Sequence, residues 1–103
     1  MEGIERIAIV VREPKDSWEG LRSTLGLLVD NLWAAFFLID AEVELPAEKT
    51  EEEFTENLEM TEDLEGEMFT NVQANVDKWG YMEYADLDGI IEKLRTYQII
   101  VPF

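Results

Sequence analysis

The run Ile7-Ala8-Ile9-Val10-Val11 decides the fold class of this 103-residue chain. Its apolar residues are continuous rather than alternating, which is typical of a strand buried on both faces of a sheet. The spacing of Asp16 and Glu19 is that of a capping box and predicts a helix after this strand. A second apolar run at residues 33–39 predicts another buried strand. Together these elements span residues 4–45 as a βαβ unit, which implies parallel strands.

Between the two runs, apolar residues recur at three- and four-residue spacing, as they do on one face of a helix. They are Trp18, Leu21, Leu25, Leu28, Val29 and Leu32. Gly20 and Gly26 weaken such a helix, so we expect both to pack closely against the sheet. After the second run, apolar residues alternate with glutamates over residues 41–45, which predicts a strand that becomes half exposed.

The second half of the chain begins with an acidic segment, about residues 46–66, for which we expect a short, mostly exposed helix or an ordered excursion. Residues 42–67 hold twelve acidic residues and one basic residue. The remaining elements are a strand at 66–72, a helical turn at 75–79, a short strand at 81–85, a helix at 87–97 capped by Asp86, and a buried strand at 99–101.

This alternation of strand and helix predicts the α/β class. We expect a single domain over residues 1–103, built as a three-layer α/β/α sandwich with a mainly parallel sheet of about four to five strands. The length of the chain suits one hydrophobic core.

Composition excludes several classes of function. The chain has no cysteine and no histidine, so it cannot carry out thiol, persulfide or imidazole chemistry. Its formal net charge of −16 repels nucleic-acid phosphates and anionic lipid, so we expect neither as a partner. No secretory signal is evident, and the longest apolar run has eight residues where a spanning helix needs roughly 20. A cytoplasmic location is therefore expected.

Ligands of open parallel sheets usually bind beyond the carboxyl ends of the strands. The candidate ligand-binding residues at those ends are Arg12, Lys15, Asp40, Thr70 and Asn71. Arg12 and Lys15 can hold a small anion; alternatively, Arg12 pairs with a local carboxylate and Lys15 is solvated. No glycine-rich loop follows the first strand, which argues against a nucleotide site, and no cofactor is expected.

Asp40 interrupts an apolar strand, and a buried carboxylate there would have a raised pKa suited to acid–base catalysis. On an extended strand Asp40 and Glu42 share a face and could act as a carboxylate pair. The alternative is that the strand has already reached solvent at Asp40. The acidic segment lacks the spacing of an EF-hand, so no metal site is expected.

Aromatic residues supply the candidate interface. Trp18 and Trp33 fall on the core stripes, whereas Trp79 precedes Gly80 in polar surroundings. We expect Trp79 and Tyr81 to lie in a protein interface.

Five stretches resemble the DsrE/DsrF/DsrH-like (TusBCD-like) family of small sulfur-relay proteins. They are residues 6–12, 18–22, 25–28 and 35–40 and the closing residues 87–103. The resemblance implies a three-layer α/β/α sandwich. It also implies assembly in the cytoplasm, because members of the family commonly form homo- or hetero-oligomers there.

Active members of that family pass on a persulfide sulfur through a cysteine after the third strand. The matching residues 69–76 contain Thr70, Asn71 and Asn75 but no cysteine. The resemblance therefore implies a non-catalytic member, a subunit or partner that binds a related protein or itself. Two alternatives remain open: a small-anion or carboxylate-based enzyme at the carboxyl edge of the sheet, and an acidic mimic of nucleic acid.

Overall fold

Five parallel strands and four helices alternate along residues 5–103. The strands are β1 (Arg6–Val11), β2 (Trp33–Leu38), β3 (Glu67–Thr70), β4 (Glu83–Tyr84) and β5 (Ile99–Pro102), and the helices are α1 (Ser17–Val29), α2 (Glu51–Asp63), α3 (Gln73–Trp79) and α4 (Leu87–Leu94). The structure, a computed structural model, describes residues 5–103. The expected start of the first βαβ unit, residue 4, lies outside the described residues.

The strand order is β4-β3-β2-β1-β5, and every pairing is parallel. Two hydrophobic clusters cover the two faces of this sheet. On one face, Trp18 and Leu21 of α1 and Phe54 and Leu58 of α2 pack on Phe36 and its neighbours. On the other face, Ile90 of α4 packs with Phe37 and Phe69. The predicted three-layer α/β sandwich with four to five strands is therefore confirmed.

The start of α1 differs from the prediction. A turn of 3₁₀ helix, Pro14–Asp16, runs directly into α1, and the Asp16 side chain makes no capping hydrogen bond. Because Asp16 has φ −94° and ψ 3°, it lacks the extended backbone usual for a capping residue. Instead, the Ser17 hydroxyl donates to the Pro14 carbonyl at 2.6 Å.

The two glycines of α1 have different environments. A Cβ atom at Gly20 would collide with the Val11 side chain, so the expected close packing on the sheet is present there. A Cβ atom at Gly26 would meet open space, and the prediction for that residue is wrong. Val29 and Leu32 at the end of the predicted stripe are exposed.

The acidic segment contains α2, whose inner face belongs to the sandwich. Phe54 and Leu58 are fully buried, whereas Met60 is 48% exposed. A capping box starts this helix: the Glu53 N–H donates to Thr50 Oγ1 at 3.1 Å, and the Thr50 N–H donates to Glu53 Oε1 at 2.9 Å. The helix is thereby fixed at both its apolar face and its first turn.

Two predicted strands need correction. Residues 41–46 form no strand, although their burial still alternates, with Ala41 buried and Val43 and Leu45 packed on the core. The strand predicted as buried at residues 99–101 is present as β5, but all four of its residues are exposed. β5 is exposed because it lies at the edge of the sheet, with β1 as its strand neighbour.

The elements between β3 and β5 follow the prediction closely. Gly80, with φ 75°, ends α3 in a backbone conformation that favours glycine. The Asp86 carboxylate accepts the Gly89 N–H at 2.8 Å and caps α4. That helix ends at Leu94, three residues earlier than expected, and Tyr97 is buried beyond its end.

Candidate functional site

The carboxyl ends of β2 and β3 are joined by two polar side chains from the predicted site. The Asn71 amide donates to Asp40 Oδ1 at 2.7 Å, and the Asp40 backbone N–H donates to Asn71 Oδ1, also at 2.7 Å. Asp40 adopts a positive φ of 57°, which turns the chain out of β2 at this point. This reciprocal pair holds the turn, so both side chains have a structural role.

Behind this pair, Asn75 of α3 is buried and holds the segment that follows β2. Its side-chain amide donates to the Ala41 carbonyl at 2.8 Å and to Thr70 Oγ1 at 3.1 Å, and its Oδ1 accepts the Val43 N–H at 3.1 Å. Thr70 is fully buried and also accepts the Val72 N–H at 3.1 Å. The polar atoms that follow β3 are therefore engaged with neighbouring backbone.

Acid–base catalysis by Asp40 requires a buried carboxylate and a partner carboxylate on the same strand face, and the structure has neither feature at this residue. Asp40 is exposed and is therefore not the buried carboxylate that this hypothesis requires. Glu42 lies in the irregular segment 41–46, so the two carboxylates do not share the face of an extended strand. The paired-carboxylate hypothesis loses both of its premises.

The two predicted anion-binding cations, Arg12 and Lys15, are exposed at the carboxyl end of β1. Within residues 5–103, neither forms an ion pair of 4.0 Å or less. The predicted pairing of Arg12 with a local carboxylate is thus not seen among the described residues. An anion site at Arg12 and Lys15 stays a prediction, which titration with phosphate and observation of the backbone amides would test.

A cavity of about 490 Å³ lies at the opposite, amino end of the sheet, and none of its lining residues was predicted as a site residue. Its lining residues come from the starts of strands and the ends of α1 and α2: Arg6, Leu28, Leu32, Trp33, Leu64 and Tyr97 among others. Trp33, expected in the core, is 55% exposed at its rim because it is the first residue of β2.

Arg6 organises one wall of this cavity. Its guanidinium contacts Glu67 Oε1 at 3.1 Å and lies 4.5 Å from the centre of the Tyr97 ring. The Tyr97 hydroxyl donates to the same Glu67 oxygen at 2.8 Å. Burial and, second, this bond to Glu67 raise the pKa of Tyr97 well above its usual value near 10. Three residues distant in sequence thus tie β1, β3 and the approach to β5 together.

The residues predicted to lie in an interface are partly buried. The Trp79 ring packs edge-on against Phe54, with 4.9 Å between ring centres, and belongs to the margin of the core. The Tyr81 hydroxyl lies 3.4 Å from Glu59 Oε2. Desolvation, followed by the nearby carboxylates Glu59 and Glu62, raises the pKa of Tyr81.

The outer face of α2 carries a regular row of carboxylates. Glu52, Glu56, Glu59 and Asp63 are all exposed and recur at spacings of four, three and four residues. Residues at these spacings lie along one side of a helix, with a rise of about 6 Å for every four residues. The row is therefore held on a rigid element.

Residues 5–103 contain no group of three or more aspartate or glutamate side chains placed so that they could hold a metal ion together. Among the same residues, no helix has the length and apolarity that crossing a bilayer requires.

Comparison with protein-family models, with curated proteins and with solved structures finds no match to this chain. The carboxyl edge of the sheet is a set of hydrogen bonds that join side chains to backbone and to one another, with two exposed cations beside it.

Proposed function

We propose that the chain is a non-catalytic DsrE-like protein that acts as a subunit or binding partner in a cytoplasmic oligomer linked to sulfur relay. The α/β sandwich with a parallel sheet is the architecture that the resemblance implies. It is compatible with the proposal, although many unrelated functions use such folds.

One observation carries the non-catalytic part of the proposal. In the position where active members of the family hold a cysteine, this chain has Thr70, Asn71 and the start of α3. Thr70 is fully buried and accepts two hydrogen bonds, and Asn71 is engaged with Asp40. A threonine hydroxyl is a far weaker sulfur acceptor than a thiol. The segment after β3 is therefore suited to holding the fold and not to carrying sulfur.

Exposed apolar side chains support a protein-binding role. Val29, Leu32, Trp33 and Leu64 lie near the amino end of the sheet, and a second group lies on α4 and β5. Trp, Tyr and Arg often supply most of the binding energy of protein interfaces, and Trp33 stands beside Arg6 at the cavity.

Sedimentation of the purified chain and co-purification from its native cell test this proposal. We expect self-association, or a stoichiometric partner that resembles the chain and carries the missing cysteine. A strict monomer that recovers no stoichiometric partner would contradict the proposal.

The acidic row on α2 favours a second candidate, a mimic of nucleic acid that occupies a basic protein surface. Rigid, regularly spaced carboxylates are what such mimicry requires, and Glu52, Glu56 and Glu59 provide them. The test is a triple change of these three residues to lysine, compared with a matched triple change at Glu13, Glu19 and Glu92. Both variants have the same net charge, so a general charge effect would weaken both equally. Mimicry predicts that only the variant changed on α2 loses binding to a basic partner.

A further inference from the structure

β5 has one strand neighbour, β1, and forms one edge of the five-stranded sheet. All four residues of β5 are exposed. A strand paired on one side leaves alternate N–H and C=O groups on its outer side without a ladder partner, and these groups can pair with another strand. Within residues 5–103, no other strand lies beside this edge.

The edge at β5 lacks the charged side chains that protect many natural edge strands. Such strands are commonly short or bear charged side chains, especially lysine. β4, at the opposite edge, has two residues and includes Glu83. Residues 96–103 contain no charged side chain, in a chain with 24 acidic residues. The four-residue length of β5 and Pro102 at its end oppose pairing.

Exposed apolar residues extend this edge on the α4 side of the sheet. The Lys93 ammonium lies 4.5 Å from the centre of the Phe69 ring, so this side of α4 is turned toward β3. Leu87 and Ile91 project from the other side of the helix, toward β1 and β5. Ile100 shares this face because it pairs with Ala8, which packs in the same cluster as α4. These three residues are 48%, 44% and 49% exposed.

The opposite face of β5 is also apolar. Ile99 pairs with Ile7 and Val101 pairs with Ile9, so both side chains point to the α1 side of the sheet. They are 37% and 36% exposed, and Phe103 beyond the strand is 41% exposed. The edge strand thus offers backbone groups in the plane of the sheet and apolar side chains above and below it.

We propose that a second copy of this chain pairs with β5. The two β5 strands run antiparallel about a two-fold axis perpendicular to the sheet, and they join two five-stranded sheets into one of ten strands. Such an axis keeps the two α4 helices on the same side, so Leu87, Ile91 and Ile100 of each copy face their equivalents across the junction. The contact is closed and uses the same surface on both copies, as most homodimers do. This inference deepens the proposed subunit role and rests on it.

The size of the surface suits a dimer. Six apolar side chains on each copy, Leu87, Ile91, Ile99, Ile100, Val101 and Phe103, have about two-fifths of their surfaces free. Two copies together then bury roughly 1,000 Å², which is near the lower limit for a specific interface.

The distribution of charge also selects this edge for a second copy. The acidic residues of α2 and the start of β3 are separated from β5 by β2 and β1. Charged residues near the β5 edge have both signs: Arg6 pairs with Glu67, Arg95 lies 3.9 Å from Glu92, and Arg12 is exposed. Two copies with a formal charge of −16 each therefore meet through a strand that itself carries no charged side chain. Because the remaining repulsion is screened by salt, we expect the dimer to tighten as ionic strength rises.

Sedimentation equilibrium over a range of protein concentrations tests the proposal, with Ile100→Lys as the disrupting variant. A lysine at this exposed position places a charge in the middle of the junction. Natural edge strands use charged side chains, especially lysine, to prevent pairing with another strand. We expect the dissociation constant of the dimer to rise at least about tenfold, which corresponds to about 1.4 kcal/mol of binding free energy. The matched control is Met60→Lys, which adds the same charge at a residue 48% exposed on α2. This control should remain dimeric, and circular dichroism confirms that both variants are folded.

Amide hydrogen exchange gives a second readout that needs no substitution. The amides of Ile99 and Val101, which face away from β1, should become protected as the protein concentration rises into the dimer range. If the chain associates but Ile100→Lys has no effect and these amides stay unprotected, the β5 junction is refuted while the subunit role stands. If the chain binds a different protein but does not self-associate, the β5 junction is also refuted. A monomer without any partner refutes both.

Discussion

Replacing Asn75 by alanine should destabilise the fold more than any other polar substitution at the carboxyl edge of the sheet. The side chain is 1% exposed and makes three hydrogen bonds. Its removal leaves the Val43 N–H and the Ala41 carbonyl without their partners, whereas Thr70 keeps the hydrogen bond from Val72. An orphaned group in a buried setting costs about 1–3 kcal/mol, so the expected loss of unfolding free energy is about 3 kcal/mol.

Urea denaturation followed by tryptophan fluorescence measures this loss. The midpoint should fall with little change in the slope, because the surface exposed on unfolding is nearly the same. Asn71→Ala is the matched control: its partner Asp40 is exposed, so water replaces the lost bonds and the cost should be about 1 kcal/mol or less.

A third variant, Asn75→Asp, tests the direction of the hydrogen bonds. The carboxylate keeps an acceptor for the Val43 N–H but cannot donate to the Ala41 carbonyl. Because the group is buried, its folded-state pKa lies above the unfolded value near 3.9. The unfolding free energy of this variant should therefore fall as pH rises from the unfolded pKa to the folded pKa. In acid, the difference in unfolding free energy between the variant and the unchanged protein should become smaller. A cost below about 0.5 kcal/mol for Asn75→Ala, or equal costs for the two alanine variants, would refute the reasoning.

Three further changes test other parts of the structure. Gly20→Ala forces a methyl group against Val11 and should cost about 1–3 kcal/mol, as overpacked cores do, measured as a lower midpoint of thermal unfolding. Thr50→Ala removes the capping box of α2 and should cost about 1 kcal/mol, which amide exchange would localise to the first turn of that helix. Because the folded pKa of Tyr97 is raised, its contribution to stability is complete below the unfolded value near 10 and declines at higher pH. Tyr97→Phe should reduce this alkaline loss, and an unchanged pH profile would contradict the role of the bond to Glu67.

The sequence predicted most elements of the fold because their apolar patterns are local. Single elements are predicted by patterns within a few residues, such as the β-branched run of β1, the apolar stripe of α1 and the capping residue Asp86. The position of a strand in the sheet is not local information. The run at residues 99–101 looks like that of β1, yet it is exposed because the strand order places it at the edge.

The candidate site was harder to predict for a related reason. Asn71 and Asn75 follow β3, but their partners Asp40 and Ala41 lie 31 and 34 residues away, so the structural role of these side chains cannot be read from the sequence. The amino-end cavity depends on Arg6, which meets Glu67 across 61 residues. One signal was available and overlooked: Thr50 followed three residues later by Glu53 is the spacing of a capping box.

The pairing of β1 with β5 also has a consequence for the order of folding. Arg6 and Gln98, which meet at the start of this pairing, are 92 residues apart, whereas β1 and β2 are joined by a single helix. Closing so long a loop costs more chain entropy than forming the first βαβ unit. We therefore expect the β1–β2 unit to form early and β5 to dock late. On a growing chain, one side of β1 must stay open until α4 and the residues after it have been synthesised.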